Sequence, residues 1–173
     1  MRQKVNADRI EQFMNAFARG IRTPTRIYFV GGSTAVLFGW REATIDIDLK
    51  LSSEGGDVLR GIPEIKENLQ VNVELASPAD FIPELAGWEL RSRFIKRVGQ
   101  VEFFHYDFYA QALAKLERGH DLDRIDVQEM IDRGLVEKEK LFTLFLEIEP
   151  KLYKYPAIDA QTFRRNVEIV VQA

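Results

Sequence analysis

The chain has no cysteine among its 173 residues. This absence excludes disulfides, cysteine-ligated zinc and a thiol nucleophile, and it fits a cytosolic protein. Histidine is almost as scarce, because His105 and His120 are the only two. They lie far apart in sequence, and neither has a partner four residues away, so both are interpreted as structural or surface residues rather than metal ligands.

Long apolar runs are also missing. No segment approaches the roughly 20 apolar residues that a membrane-spanning helix needs. The first residues, Met1 to Asn6, lack the apolar segment of a secretory signal. We therefore expect a soluble cytoplasmic protein with no membrane partner.

An excess of positive charge is absent as well, since 24 lysines and arginines face 27 acids, for a net charge of −3. This balance argues against a general nucleic-acid binder, although it leaves room for a local basic patch. Hydrophobic residues make up 46% of the chain, enough for a proper core. The length fits one domain, or a small core domain with a helical extension.

The periodicity of apolar residues predicts an α+β fold. Apolar residues recur at helical spacing from Ile10 to Ile21, with Asn6 as N-cap and Gly20 as C-cap. Strands are predicted at 26–30, 43–51 and 71–75, and as a hairpin, 94–98 and 101–104, around Gly99-Gln100. A loop is predicted at 52–56 and a helix at 57–68, and the pattern is helical from residue 106 onward. The expected organisation is an α+β core over residues 1–104 and a helical region over 105–173 that packs on it and completes a cleft.

Two aspartates, Asp46 and Asp48, stand two residues apart on a predicted strand. Side chains at that spacing point to the same face, while Ile45, Ile47 and Leu49 would face a core. Two like charges this close repel unless a positive group lies between them, and oxygen ligands suit Mg2+ or Mn2+. The alternative is that both are solvated residues on the polar face of a sheet.

A glycine pair ends the strand that precedes them, in the sequence Val30-Gly31-Gly32-Ser33. Glycines let the backbone approach a ligand closely. Ser33 is predicted to act as an N-cap and hydroxyl donor at a helix start, where free N–H groups attract phosphate. The alternative is an ordinary turn.

Together, Gly-Gly-Ser, a short helix and Asp-x-Asp resemble the signature of the nucleotidyltransferases of the DNA polymerase β superfamily. Within it the chain is most similar to the small bacterial branch that includes the AbiEii-type toxins of toxin–antitoxin systems. The resemblance is specific over residues 28–75, suggestive over 107–135 and absent over 140–173. It implies a polymerase-β-like core, a small mixed sheet with flanking helices, plus a C-terminal helical region.

The resemblance also implies roles for individual residues. Asp46 and Asp48 would hold the metal, with Glu74 on the next strand as third ligand or base. The family often has Asp at that position. Gly31, Gly32 and Ser33 would bind the triphosphate, and Arg41, which with Thr44 precedes the acid pair, would reach a phosphate. The alternatives are a surface role for Arg41 and a solvated one for Glu74.

A second stretch, from Asp107 to Val127, resembles the helical part of AbiEii-like proteins. There Lys115 would hold triphosphate charge, and Asp123 and Asp126 would position base, ribose or lysine. Since Leu113, Ala114 and Leu116 already supply an apolar stripe, Lys115 is expected to be exposed and dispensable for folding. The alternative makes Asp123 an N-cap and Asp126 a first-turn acid.

The function that this resemblance implies is metal-dependent transfer of a nucleoside monophosphate from a triphosphate to an acceptor hydroxyl. The acceptor would be a tRNA end or a protein, and the enzyme would be the toxin of a toxin–antitoxin or phage-defence pair, with a cognate antitoxin as partner. A catalytically silent module of the same fold is the rival hypothesis. A two-carboxylate glycosidase is remote, because two acids on one strand face cannot flank a sugar ring.

One further cluster comprises Trp88 and four basic residues, Arg91, Arg93, Lys96 and Arg97. It would suit an aromatic and basic rim for a nucleic-acid acceptor. The favoured interpretation is a buried tryptophan beside a solvated strand.

Overall fold

The computed structural model describes residues 2–52 and 56–173 of the chain. It divides into two compact units, the first comprising Met1–Ser77 and Ser92–Tyr106 and the second Pro78–Arg91 and Asp107–Ala173. The segment 78–91 therefore groups with the C-terminal helices, although the sequence placed it in the core. The predicted loop at 52–56 falls mostly on residues 53–55, outside the described residues.

Over its described residues, the first unit holds three helices and five strands. The helices are α1 Ala7–Arg19, α2 Gly32–Phe38 and α3 Gly56–Leu69, and the strands are β1 Thr25–Val30, β2 Asp46–Leu51, β3 Asn72–Leu75, β4 Arg93–Val98 and β5 Val101–His105. The strands form a mixed sheet in the order β3-β2-β1-β5-β4. Strand β1 runs antiparallel to β2 and parallel to β5, β2 runs parallel to β3, and β4 and β5 form the predicted antiparallel hairpin. The α+β class with a small mixed sheet and flanking helices is confirmed.

The core of the first unit lies between one face of the sheet and helices α1 and α3. Phe29 of β1 stacks on Phe103 of β5 at 5.8 Å between ring centroids, and Phe13 of α1 meets Phe29 edge-on at 6.2 Å. Burying each such ring contributes about 1.5–3 kcal/mol. Because side chains alternate along β2, Ile47 and Leu49 are buried in this core while Asp46 and Asp48 face away from it.

Helix α1 begins and ends where the sequence predicts. The side chain of Asn6 accepts a hydrogen bond from the Arg9 N–H, which satisfies one free donor of the first turn. Gly20 caps the other end.

Strand β2 starts later than predicted, at Asp46 rather than at residue 43. Thr44 instead forms an isolated bridge with Val5, the two exchanging backbone hydrogen bonds of 2.7 and 2.9 Å. Ile45 lies outside the strand ladder and is 68% exposed, so the expectation that it faces the core is wrong.

The second unit is helical. Its helices are α4 Trp88–Arg91, α5 Phe108–Arg118, α6 Asp121–Asp132, α7 Lys138–Ile148 and α8 Ala160–Gln172, with 3-10 turns at Pro78–Asp80 and Glu149–Lys154. Helix α5 contacts α6, α7 and α8 and is buried on most sides. The Phe145 and Phe163 rings of α7 and α8 meet edge-on at 5.0 Å. No helix among residues 2–52 and 56–173 is both long and apolar enough to cross a membrane.

Asp107 ties segment 78–91 to the start of α5. Its fully buried carboxylate accepts two hydrogen bonds from Arg91, at 3.0 and 2.8 Å, and a third from the Tyr109 N–H at 3.0 Å. Burial raises the pKa of Asp107, although these bonds and the charge of Arg91 oppose the shift.

Candidate functional site

Strand β2 presents Asp46 and Asp48 on the face of the sheet opposite the Ile47–Leu49 core, as the alternation predicted. Asp48 lies in register with Val30 of β1 on one side and with Glu74 of β3 on the other. Directly opposed residues of paired strands share a face. The three predicted acids are thus brought to one face of one sheet.

Asn72, in register with Asp46, lies between two of these acids. Its amide nitrogen donates to Asp46 Oδ1 at 2.7 Å and to Glu74 Oε1 at 3.2 Å. One amide group therefore supplies positive charge density to both carboxylates. The sequence analysis missed Asn72, although its place two residues before Glu74 was the signal that put it on the same face.

Asp46, Asp48 and Glu74 are the acids that were predicted to bind a metal ion. Among the residues that the structure describes, no group of three or more His, Cys, Asp or Glu residues is arranged to hold a metal ion. Asp46 and Asp48 provide a pair of carboxylates of the chemistry that Mg2+ and Mn2+ prefer. Glu74 accepts a hydrogen bond from Asn72 through Oε1 and is the third acid on this face.

Gly31 adopts a backbone conformation, φ 65° and ψ −127°, that side chains rarely allow. A Cβ built on it would lie 3.5 Å from Asp48 Oδ2, so the turn runs directly beside the acid pair. The Gly-Gly turn and the second aspartate are therefore neighbours in space, as the resemblance implies. Gly31, not Ser33, is the N-cap of α2, so the prediction of a Ser33 cap is wrong.

Gly32 is required by the chain itself. A Cβ at this position would fall 2.1 Å from Thr44 Oγ1, 2.7 Å from Thr44 Cβ and 3.2 Å from Arg41 Nη1. Thr44 and Arg41, predicted as part of the site, thus pack against the glycine turn. Since Thr44 also pairs with Val5, it has little freedom to withdraw.

We expect Gly32→Ala to lower the free energy of unfolding by about 1–3 kcal/mol, the usual cost of overpacking. The double variant Gly32→Ala, Thr44→Gly removes the obstructing side chain and should lose less than the sum of the two single changes. Chemical denaturation of the four proteins in this cycle measures that coupling. Strictly additive losses would show that Thr44 is not the reason for the glycine.

Ser33 lies in the first turn of α2 and is fully buried. Its hydroxyl oxygen has no hydrogen-bond partner among the residues that the structure describes. An unsatisfied buried hydroxyl costs about 1–3 kcal/mol. The predicted hydroxyl donor is therefore present beside the turn, but it is not exposed.

Lys115, Asp123 and Asp126 form an ion cluster within the second unit. Lys115 Nζ lies 2.8 Å from Asp126 Oδ2 and 3.6 Å from Asp123 Oδ1, which links α5 to α6. Lys115 is only 8% exposed, so the expectation that it is exposed is wrong. The grouping of these three residues in one place agrees with the pattern read from the sequence.

Asp123 also receives two hydrogen bonds from Arg118, at 2.8 and 2.5 Å. Burial alone would raise the pKa of Asp123, but the Arg118 hydrogen bonds and the charges of Lys115 and Arg118 outweigh it and lower the pKa. The N-cap of α6 is His120, and Asp123 lies in the first turn. The alternative that made Asp123 an N-cap and Asp126 a first-turn acid is therefore wrong on both points.

Trp88 and Arg91 of the predicted aromatic and basic cluster belong to the second unit, whereas Lys96 belongs to the first. Trp88 is buried, and Arg91 is bound to Asp107 in the second unit. Lys96, in the first unit, forms an ion pair with Glu11 of α1. The prediction of a buried tryptophan is confirmed, whereas Arg91 lies in α4 rather than on a solvated strand. His120 is exposed, whereas His105 is buried with its Nδ1 3.1 Å from Thr34 Oγ1.

No protein-family model matches the chain, and neither curated proteins nor solved structures gave a match.

Proposed function

We propose that the chain is a metal-dependent nucleotidyltransferase with a polymerase-β-like core. It would move a nucleoside monophosphate from a nucleoside triphosphate to an acceptor hydroxyl of a tRNA end or a protein. Its biological setting would be the toxin half of a toxin–antitoxin or phage-defence pair. The observation that carries the proposal is the placement of Asp46 and Asp48 on one sheet face with the Gly31 turn beside Asp48.

The acid pair supports the metal part of this proposal. Two carboxylates two residues apart on β2 present oxygen ligands from one rigid strand, and neither aspartate belongs to the buried core. A bound divalent cation would supply positive charge for the phosphate oxygens of the substrate. Asp46 and Asp48 would hold it, and Glu74 would act as third acid.

The turn supports the phosphate part. Gly31 brings the backbone close to Asp48, and Arg41, whose guanidinium matches phosphate geometry, packs against Gly32. Catalysis would consist mainly of holding the acceptor hydroxyl in line with the α-phosphate while pyrophosphate leaves. The ion cluster has a structural role in this proposal: Lys115 pairs with both Asp123 and Asp126 and so holds α5 against α6.

The test is Mn2+ binding by isothermal titration calorimetry. We expect the parent protein to bind Mn2+ and Asp48→Asn to lose at least tenfold in affinity, because an amide replaces an anionic ligand. Asp8→Asn, the same change at an exposed position of α1, is the matched control and should bind like the parent. Glu74→Gln reports whether the third acid takes part.

Two results would count against the proposal. Equal Mn2+ affinity of the parent and Asp48→Asn would remove the metal site. A parent that binds Mn2+ but transfers label from none of the four triphosphates, to total RNA or to protein, would favour the second candidate.

The second candidate is a catalytically silent module of the same fold. The Asn72 amide favours it, because a hydrogen-bond donor between Asp46 and Glu74 stabilises the acids without a cation. Label transfer discriminates the two candidates, whereas Asn72→Ala tests the amide: it should lower the free energy of unfolding through unrelieved charge repulsion, and Mn2+ should restore that stability only if the acids bind the cation.

A further inference from the structure

Four residues form a straight row across the sheet on the face that carries Asp46 and Asp48. Tyr28 of β1 is in register with Lys50 of β2 and with Phe104 of β5, and Phe104 is in register with Phe94 of β4. Because opposed residues share a face, the row extends from the aspartate strand to the sheet edge.

The three rings of this row contact one another in turn, and exposure to solvent rises from Tyr28 to Phe94. Tyr28 is 2% exposed and stacks on Phe104 at 5.2 Å, and Phe104 meets Phe94 edge-on at 5.6 Å. Phe94 itself is 57% exposed. A supported aromatic ring at an open position is a surface on which a planar group can stack.

Arg26 adds a cation to this surface. Its guanidinium carbon lies 5.6 Å from the Phe104 ring centroid, and its Nε is 3.7 Å from Glu102 Oε1. The guanidinium is thus held over a ring. Tyr28, Phe94, Phe104 and Arg26 together are named the aromatic platform.

A bulge in β4 turns Lys96 away from the platform, whereas Arg97, in register with Glu102 as Arg26 is, lies on the platform's face. The register shifts between Phe94 and Lys96, and Lys96 pairs with Phe103, whose ring belongs to the core. Lys96 therefore reaches Glu11 of α1 on the opposite face.

The platform lies at a defined distance from the acid pair. The row of Phe104, Tyr28 and Lys50 is one same-face step from the row of Val30, Asp48 and Glu74. Strand geometry puts Phe104 and Asp48 roughly 12 Å apart between Cα atoms. Three or four stacked nucleotides span that distance, at ~3.4 Å each.

We propose that the aromatic platform binds the bases of a single-stranded RNA and directs its end toward Asp46 and Asp48. The role of the platform as an acceptor site rests on the proposed nucleotidyl transfer. Binding of RNA to the platform is measured independently of that activity. Arg26 over the Phe104 ring, Lys50 in the row and Arg97 opposite Glu102 supply positive charge on this face for the phosphates of the RNA. Binding should therefore depend on salt, with a slope of about −2.1 for three phosphate contacts to a single strand.

The experiment is fluorescence anisotropy of a labelled single-stranded octaribonucleotide, titrated with the full chain in Mg2+. Phe94→Ala should weaken binding at least tenfold, the loss expected for one base-stacking contact. Phe94→Tyr keeps a ring and should bind like the parent. Phe81→Ala is the matched control, because Phe81 is 56% exposed but lies in the second unit.

The outcomes separate this proposal from the proposed function. Mn2+ titration of Phe94→Ala should match the parent, and Asp48→Asn should keep the RNA affinity of the platform. Equal RNA affinity of Phe94→Ala and the parent overturns the platform, whatever the metal data show. A change in oligomeric state of Phe94→Ala without a change in RNA affinity identifies a protein interface instead and overturns it as well.

Discussion

Replacing Lys115 with alanine should lower the free energy of unfolding by about 3–5 kcal/mol, the usual effect of breaking a buried ion pair. The change leaves Asp126 and Asp123 buried, with Arg118 as the remaining cation that contacts Asp123. The loss arises from uncompensated charge. It is opposite to the expectation from the sequence, which treated Lys115 as dispensable for folding.

Urea denaturation measures this loss, and two further variants establish its cause. Lys151→Ala, at an exposed lysine, should change stability by no more than about 0.5 kcal/mol. The double variant Lys115→Met, Asp126→Asn removes both partners and should recover part of the loss. A Lys115→Ala protein as stable as the parent would refute the ion cluster.

Acidification from pH 7 to pH 4 should destabilise the protein through His105, by up to about 3 kcal/mol. Burial, reinforced by the charge of Arg93, lowers the pKa of His105 from 6.5 to about 4. Between these values the unfolded chain binds a proton that the folded chain does not. Stability is therefore complete above pH 6.5 and declines as the pH falls toward 4.

The measurement is the difference in unfolding free energy between the parent and His105→Asn across this range. The difference should be flat above pH 7 and should change steadily below pH 6.5. His120→Asn, at the exposed histidine, serves as control and should follow the parent at every pH. A pH-independent difference for His105→Asn would contradict the lowered pKa.

The parts of the fold that the sequence predicts are those whose partners are near in the chain. Helix α1 shows one clean apolar stripe and two capping residues, and both its ends agree with the structure. The β4–β5 hairpin has its turn residues between two strands. The pattern of nearby residues is sufficient to predict an element whose partners are close in the chain.

The parts that it misses depend on distant residues. Thr44 leaves the strand because Val5 pairs with it, and nothing near Thr44 signals that partner. Lys115 follows an apolar stripe, which suggested an exposed side chain, but α5 is surrounded by α6, α7 and α8. A central helix has almost no solvent face, so amphipathic reasoning fails there.

In the candidate site, too, the sequence predicts the features that depend on one strand and misses those that depend on distant residues. The i, i+2 rule correctly places Asp46 and Asp48 on one face, because that rule needs only the strand. Asn72 lies beside Asp46 because of the register of β3 on β2, which the sequence does not specify. Gly32 was assigned to a ligand, whereas Thr44 already accounts for it.

The chain crosses between the two units three times, after Ser77, after Arg91 and after Tyr106. No single cut can therefore release either unit intact. A fragment ending at residue 106 would retain Arg91 without the Asp107 carboxylate that binds it, and it would strip Ile82, Leu85 and Trp88 of the helices of their own unit. Dissection of this protein thus calls for circular permutation or internal replacement of residues 78–91 rather than truncation.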